Sequence, residues 1–412
     1  LREGKPVAEL WDYEPIVGRG IIEELELLAE RLSGKVVQMI SSTPVGGGVA
    51  EILSRMVPLL NQLGVKTAWD VIKGSEEFFQ VTKGFHNVLQ GRQAKILPND
   101  FFVFGEGSRR NLDLMDFYGD IMFVHDPQPI ALVMARKEKG RRWVWRCHID
   151  VSTPDLQVWD FLCSFIARYD AVVFSAPQFA QPLPIRQFLI SPSIDPLSDK
   201  NRELSDSEIQ GVLAKYGITS EKPIITQISR FDHFKDPLGV IDVFNMVRKR
   251  LDCQLILAGG PAVDDPESAQ VLASAQEKAR GNPDIHVLFI PPESHVEINA
   301  LQRAATVVVQ KSLREGFGLT VSEALWKAKP VVAAAVGGIP LQVKHKTTGL
   351  LTHGVPGTAY ALKLLLSNPE YAIWLGNNGR EYVRQNFLLT RHIRDYLLLL
   401  LSLDHFEDVV YL

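Results

Sequence analysis

The feature that most constrains this chain is an alternation running almost from end to end, in which short β-rich apolar runs are separated by amphipathic stretches of helical period. Strands that alternate with helices build parallel sheets, because a parallel neighbour is reached only by a crossover long enough to hold a helix. In the first half the strand candidates are Val36–Ile40, Lys66–Val71, Ile121–His125, Trp143–His148 and Ala171–Ser175. In the second half they are Ile224–Ser229, Gln254–Ala258, His286–Ile290, Thr306–Gln310 and Pro330–Ala335, with helical stretches at Pro237–Leu251, Pro266–Arg280, Val296–Ala304 and Leu319–Lys327. The helix at Ala50–Leu63 sets Ile52, Met56, Leu59, Leu60 and Leu63 on one face, and Asn61–Gly64 stops it. Between the halves, Ser191–Asp206 is rich in Pro, Ser and Asp without apolar period, which marks a domain boundary. Ligands of open parallel sheets collect beyond the carboxyl ends of the strands, so two such halves facing each other predict a cleft with the chemistry between them.

Composition narrows the function classes. A chain of 412 residues with 46% hydrophobic and 22% charged residues suits about two domains with full cores. Lys+Arg 44 against Asp+Glu 48 leaves no basic excess for a phosphate backbone, so a nucleic-acid partner is not expected. Cys147, Cys163 and Cys253 lie far apart and form neither a zinc ribbon nor a disulfide framework, which fits a reducing compartment. No apolar run approaches the length of a membrane span, and Arg2, Glu3, Lys5 and Glu9 interrupt any signal-peptide core. The expectation is a cytoplasmic protein with no membrane partner.

Three segments carry candidate chemistry. The first, Ser41 to Gly48, follows a strand and precedes a helix, and its glycines at 46, 47 and 48 let backbone N–H groups approach an anion at a helix start. It matches neither the G-x-x-x-x-G-K-[ST] loop nor the G-x-G-x-x-G fingerprint, so ATPase and dehydrogenase readings lose their support. The second, Ser229 to Asp236, leaves the first strand of the second half with Arg230 and Lys235, a planar fork and a point charge that suit one diphosphate. The third, Glu315-Gly316-Phe317-Gly318-Leu319-Thr320-Val321-Ser322-Glu323, places two glycines at a helix start, so that the amides from Phe317 to Thr320 can address an anion. Its two carboxylates can then accept hydroxyls at opposite ends of a diphosphate ligand.

Two Rossmann-like halves, the Gly-rich first loop, Arg230 with Lys235 and the paired glutamates ending at Glu323 together resemble the retaining glycosyltransferases of GT-B type that use nucleotide sugars. The segments His125 to Pro129, Trp145 to Asp150 and Ser193 to Ser198 are similar to those of the trehalose glycosyltransferring synthases and the related retaining trehalose phosphorylases. The resemblance implies an α/β protein of two Rossmann-like domains across a deep cleft. It divides the chain into an acceptor-side domain at 1–200, a nucleotide-sugar domain at 201–385 and a C-terminal helical segment at 386–412 returning to the first domain.

It also implies roles. Arg230 and Lys235 would hold the diphosphate, and Glu323 the ribose hydroxyls. Glu315 and the amides of Gly316, Phe317, Gly318 and Leu319 would hold the donor sugar and the distal phosphate, with Gly47 and Gly48 approaching the diphosphate from the other domain. His148 would contact the sugar near its reacting carbon, and Asp126, Gln128 and Asp150 are candidates for the acceptor side. The implied reaction joins glucose from a nucleoside-diphosphate glucose, with UDP-glucose and ADP-glucose in view, to the anomeric hydroxyl of glucose, giving α,α-trehalose with retention. A retaining trehalose phosphorylase is the nearest alternative, and a sugar-nucleotide 2-epimerase or a non-catalytic sensor follow. Cations at the leaving diphosphate stabilise its charge directly, and no D-x-D or H-E-x-x-H pattern is present, so neither metal nor other cofactor is expected. The partners are then the nucleotide-sugar donor and the glucose acceptor, with a homodimer as the candidate assembly. One departure stands out: relatives often carry glycines flanking the Arg and Lys, where this chain has Ser229 and Asp236.

Overall fold

A computed structural model of the chain describes residues 8–44, 47–136, 140–260, 266–291 and 293–404. It divides into two compact units, one formed by Leu1–Pro192 with Leu389–Leu412 and the other by Ser193–Leu388.

The first unit is built on six parallel strands, β1 (Val36–Ser41), β2 (Lys66–Val71), β3 (Ile121–His125), β4 (Arg142–Arg146), β5 (Ala171–Phe174) and β6 (Arg186–Leu189), in the order β2-β1-β3-β4-β5-β6. β3 and β5 are buried along their whole length, which is why they read as unbroken apolar runs rather than alternating ones. β6 has no such run, since its edge residues are mostly exposed, and periodicity alone did not reveal it. The strand expected at Trp143–His148 ends at Arg146, because the amide of His148 turns away to the side chain of Asp126. The last helix, Leu389–Asp404, belongs to this unit: Tyr396 stacks on Phe123 of β3 with ring centroids 4.9 Å apart, and Arg394 Nε donates to Glu24 Oε1 at 2.8 Å.

The second unit repeats the plan with β7 (Ile224–Ile228), β8 (Gln254–Gly259), β9 (Ile285–Phe289), β10 (Val307–Gln310), β11 (Val331–Ala334) and β12 (Leu350–Thr352), all parallel, in the order β12-β11-β10-β7-β8-β9. Its core joins Ile225, Leu255, Val307, Val309 and Val332 of the sheet to Val240 and Phe244 of the helix Pro237–Arg248. Residues 193–202 pack with this unit: Ile194 bridges to Leu388, and Asn299 Nδ2 donates to the carbonyls of Asp199 and Arg202 at 3.0 and 2.8 Å. Among the described residues, no helix is long and apolar enough to cross a membrane.

Strand order reverses beside the first strand of each sheet, since β1 lies between β2 and β3, and β7 between β10 and β8. Where the order reverses, the connections leaving two neighbouring strands diverge to opposite faces, and a crevice opens at their carboxyl ends.

Candidate functional site

In the second unit the crevice lies between the segments that leave β7 and β10, and both carry sequence-predicted residues. Lys235 Nζ donates to Glu315 Oε2 at 2.6 Å, and Ser312 Oγ donates to the same oxygen at 3.1 Å. Both charges are largely buried, at 14% and 8% side-chain exposure, so their attraction is little screened by solvent. Arg230 stands apart from this pair: half exposed, it reaches Asp232 Oδ2 at 3.2 Å.

The local sequence explains the placement of Lys235. Asp232 caps the short turn His233–Lys235 by accepting from the Lys235 amide at 3.1 Å, and Asp236 caps the next helix by accepting from the Gly239 amide at 3.0 Å. Asp236 adopts φ 48°, the left-handed conformation that a glycine would take and that Asp tolerates better than most residues. Its carboxylate also pairs with Lys311 Nζ at the end of β10. The departure from glycine thus keeps the loop geometry and adds an ion pair.

The Glu315 loop is shaped by a close approach. Gly318 has φ 85° and begins the helix Leu319–Trp326, while the Gly338 amide donates to the Gly316 carbonyl at 3.0 Å. Gly337 has φ 52°, and a Cβ there would lie 1.6 Å from the Glu315 carbonyl oxygen, so any side chain would force the backbone of the loop to shift. Among the described residues no hydrogen bond takes up the amides of Phe317, Gly318, Leu319 and Thr320, which leaves a row of donors at a helix start beside Lys235 and Glu315.

Glu323 lies inside the helix that begins there and is 1% exposed. Its Oε2 accepts from Gln302 Nε2 at 3.3 Å; Oε1 has no hydrogen-bond partner among the described residues, with Lys200 Nζ 3.5 Å away. A buried carboxylate oxygen held only by a longer ion pair retains the capacity to accept a ligand hydroxyl. Lys327 closes the far side, donating to the Glu323 carbonyl at 3.2 Å and to Asn201 Oδ1 at 3.0 Å, and burial pushes its ammonium down to about 7. Lys200, Ser312 and Lys311 were not singled out from the sequence. Lys200 sits in the stretch whose composition marks a linker, and the other two directly follow β10 without any motif.

In the first unit the candidate residues follow β1, β3 and β4. Asp126 takes φ 67° immediately after β3; its Oδ1 accepts from the His148 amide at 2.9 Å and its carbonyl accepts from Trp145 Nε1 at 3.0 Å. Burial pushes its carboxyl up to about 6, against the opposing effects of the His148 amide and the Arg146 charge. His148 Nε2 lies 3.0 Å from Nδ1 of His125, a buried residue that opens the His125 to Pro129 segment but was assigned no role from the sequence. Asp150 Oδ1 accepts from the amide and hydroxyl of Ser152 at 2.9 and 2.6 Å, and Gln128 Oε1 is buried without a hydrogen-bond partner among the described residues. Gly47 and Gly48 are exposed at the start of the helix Gly47–Gln62 that follows β1; Gly46 lies outside the described residues.

Other charged and aromatic residues serve packing. Arg142 Nη1 lies 3.9 Å from Asp170, Arg141 donates to the Phe117 carbonyl, and Trp143 and Trp145 are buried in the core. Among the described residues, no group of three or more His, Cys, Asp or Glu side chains is arranged to hold a metal ion.

Comparison with known proteins adds a second line of observation. The family described as "Trehalose synthase, N-terminal domain" matches residues 39–181, and "Glycosyl transferases group 1" matches residues 210–382. The chain is 46% identical over 405 residues to a trehalose synthase of Rubrobacter xylanophilus, covering 96% of this chain and 97% of that protein. It is 41% identical over 403 residues to a trehalose synthase of Pyrococcus horikoshii, covering 96% of each. The fold is similar to that of the sucrose-phosphate synthase of Thermosynechococcus elongatus, with a TM-score of 0.71 at 19% identity over 90% of this chain and 100% of that one.

Proposed function

The chain belongs to the trehalose synthase family of group 1 glycosyltransferases with GT-B fold, and from that premise we propose that it transfers glucose from a nucleoside-diphosphate glucose to the anomeric hydroxyl of free glucose, with retention, to give α,α-trehalose. The observation that carries the nucleotide donor is the buried Oε1 of Glu323, which no hydrogen bond takes up among the described residues and which only the 3.5 Å ion pair to Lys200 holds. A neutral ribose hydroxyl can donate to such an oxygen, whereas inorganic phosphate, the donor-site ligand of a phosphorylase, is an anion that a carboxylate repels.

The chemistry follows from charge. Breaking the bond between the sugar and the diphosphate builds negative charge on the leaving oxygens, and fixed cations and amide dipoles already aimed there stabilise it without reorganisation. Lys235 and the amides from Phe317 to Thr320 would be those groups, and Arg230 would join them by leaving Asp232. Glu315 holds the Lys235 ammonium in place through the 2.6 Å contact and would also bind the sugar hydroxyls with its remaining acceptor capacity. On the other side of the reaction, Asp126, Gln128 and Asp150 would bind the acceptor, and His148 the donor sugar. The acceptor attacks from the face that the diphosphate leaves, and a leaving oxygen takes its proton, so the bond formed and the bond broken share one stereochemical face.

The test supplies several nucleoside-diphosphate glucoses with free glucose and identifies the product linkage by NMR. An α,α-linked disaccharide with release of nucleoside diphosphate is expected, and turnover is expected to persist after chelation of divalent metals. Product formed only with glucose 1-phosphate, or an altered sugar nucleotide formed from donor alone, would overturn the reading. Glu323→Ala is expected to weaken nucleoside-diphosphate binding by about 1.5–3 kcal/mol, the size of a lost hydrogen bond to a charged group, as measured by calorimetry; undiminished affinity would remove the ribose assignment.

A further inference from the structure

His125 ends β3 and is 1% exposed, with Nδ1 3.0 Å from His148 Nε2 and the two rings inclined by only 17°. At that distance one nitrogen must donate and the other accept, so the two tautomers are coupled. Burial and the charge of Arg146, the register partner of His125 on β4, keep both rings neutral: His125 is pushed down to about 3 and His148 well below its ordinary value. Each ring therefore carries one proton. Neither has a carboxylate as hydrogen-bond partner among the described residues, so the pair is not oriented by an acid.

The surroundings decide which way the shared hydrogen bond runs. If His148 donated, His125 would keep its proton on Nε2, which is buried with no hydrogen-bond partner among the described residues. That N–H would be an orphaned donor in the field of a guanidinium whose own Nε and Nη1 are buried without hydrogen-bond partners among the described residues, an arrangement that carries a desolvation penalty and a repulsion together. If His125 donates instead, its bare Nε2 lone pair lies in the field of Arg146, where a positive charge favours it, and His148 carries its proton on Nδ1. No hydrogen bond within the described residues uses that nitrogen.

We propose that His125 is a positioning residue for the transfer: it donates to His148 and locks that ring in the Nδ1–H form, so that His148 offers the donor sugar a hydrogen-bond donor and is not available to take a proton as a base. The proposal rests on the reading of His148 as a sugar contact and completes it, because a proton taken by the leaving diphosphate leaves no need for a basic imidazole.

Two variants of the full chain separate this role from packing. In His125→Asn the side-chain amide keeps a donor near the position of Nδ1, whereas His125→Leu fills the space without one. Nitrogen-15 NMR of histidine-labelled protein should show a protonated Nδ1 on His148 in the wild type and in His125→Asn, and a mixture of tautomers in His125→Leu. With glucose and the preferred nucleoside-diphosphate glucose, His125→Asn should keep kcat close to wild type, while His125→Leu should lose on the order of 10- to 100-fold in kcat, the range for outer partners that orient an imidazole, with KM little changed. A bare Nδ1 on His148 in the wild type, or equal kcat losses in two equally folded variants, would overturn the proposal. Absence of any glucosyl transfer by the wild type would instead overturn the functional reading, and the NMR result would still decide the tautomer.

Discussion

Asp126 sits at a strained backbone position, φ 67°, with its carboxyl raised from 3.8 to about 6 chiefly by burial. The folded state therefore binds this proton more tightly than the unfolded chain does, so the stability it contributes is present below pH 3.8 and is lost as pH rises through about 6. Replacing Asp126 by Asn keeps an oxygen to accept from the His148 amide and removes the charge. The variant should be more stable than wild type at pH 8 by up to about 3 kcal/mol, with the gain vanishing below pH 4, as read from urea denaturation at a series of pH values. Transfer activity should fall at the same time, since the carboxylate proposed for the acceptor side loses its charge; equal stability at pH 8 would show that burial does not destabilise the ionised group. Asp126 was legible in the sequence through its neighbours in the His125 to Pro129 segment. The contact of His125 with His148 was not, because a histidine closing an apolar strand reads as core until the strand beside it supplies its partner.

At the scale of elements, the positive-φ glycines of the loops that carry candidate residues divide into two kinds. Gly47 has φ 77° but open space around it, so Gly47→Ala carries only the strain of a left-handed residue, about 1–2 kcal/mol. At Gly337 the added Cβ would meet the Glu315 carbonyl oxygen at 1.6 Å, so the loop itself must move. Gly337→Ala should lower the melting midpoint of the second unit by about 5–10 °C and weaken nucleoside-diphosphate binding through displacement of Glu315 and Lys235. A Gly337→Ala variant with unchanged melting and binding would show that this contact does not shape the loop. Gly316 and Gly318 were visible from the sequence because they adjoin the paired glutamates. Gly337 and Gly338 were not, since they lie in the segment after β11 and matter only because β11 neighbours β10.

For the molecule as a whole, the last helix is part of the first unit although it is farthest from it in sequence. Leu389, Ile393, Tyr396, Leu397 and Leu400 are each at most 1% exposed. At about 1.5–3 kcal/mol for each buried side chain, their combined burial is comparable to the whole stability of a domain, about 5–15 kcal/mol. A chain ending at residue 388 should therefore lose amide-exchange protection in β1 and β3 while β7 and β10 keep theirs; retained protection in β3 would contradict the estimate. The sequence by itself determined that the chain forms two parallel α/β sheets and which residue types stand at the ends of their strands, because hydrophobic period and helix-start chemistry are local properties. Only the tertiary structure decided which of those ends meet. Lys235 and Glu315 are 80 residues apart and His125 and His148 are 23 apart, and each pair forms because sheet order makes their strands neighbours, a result of packing that no local period encodes.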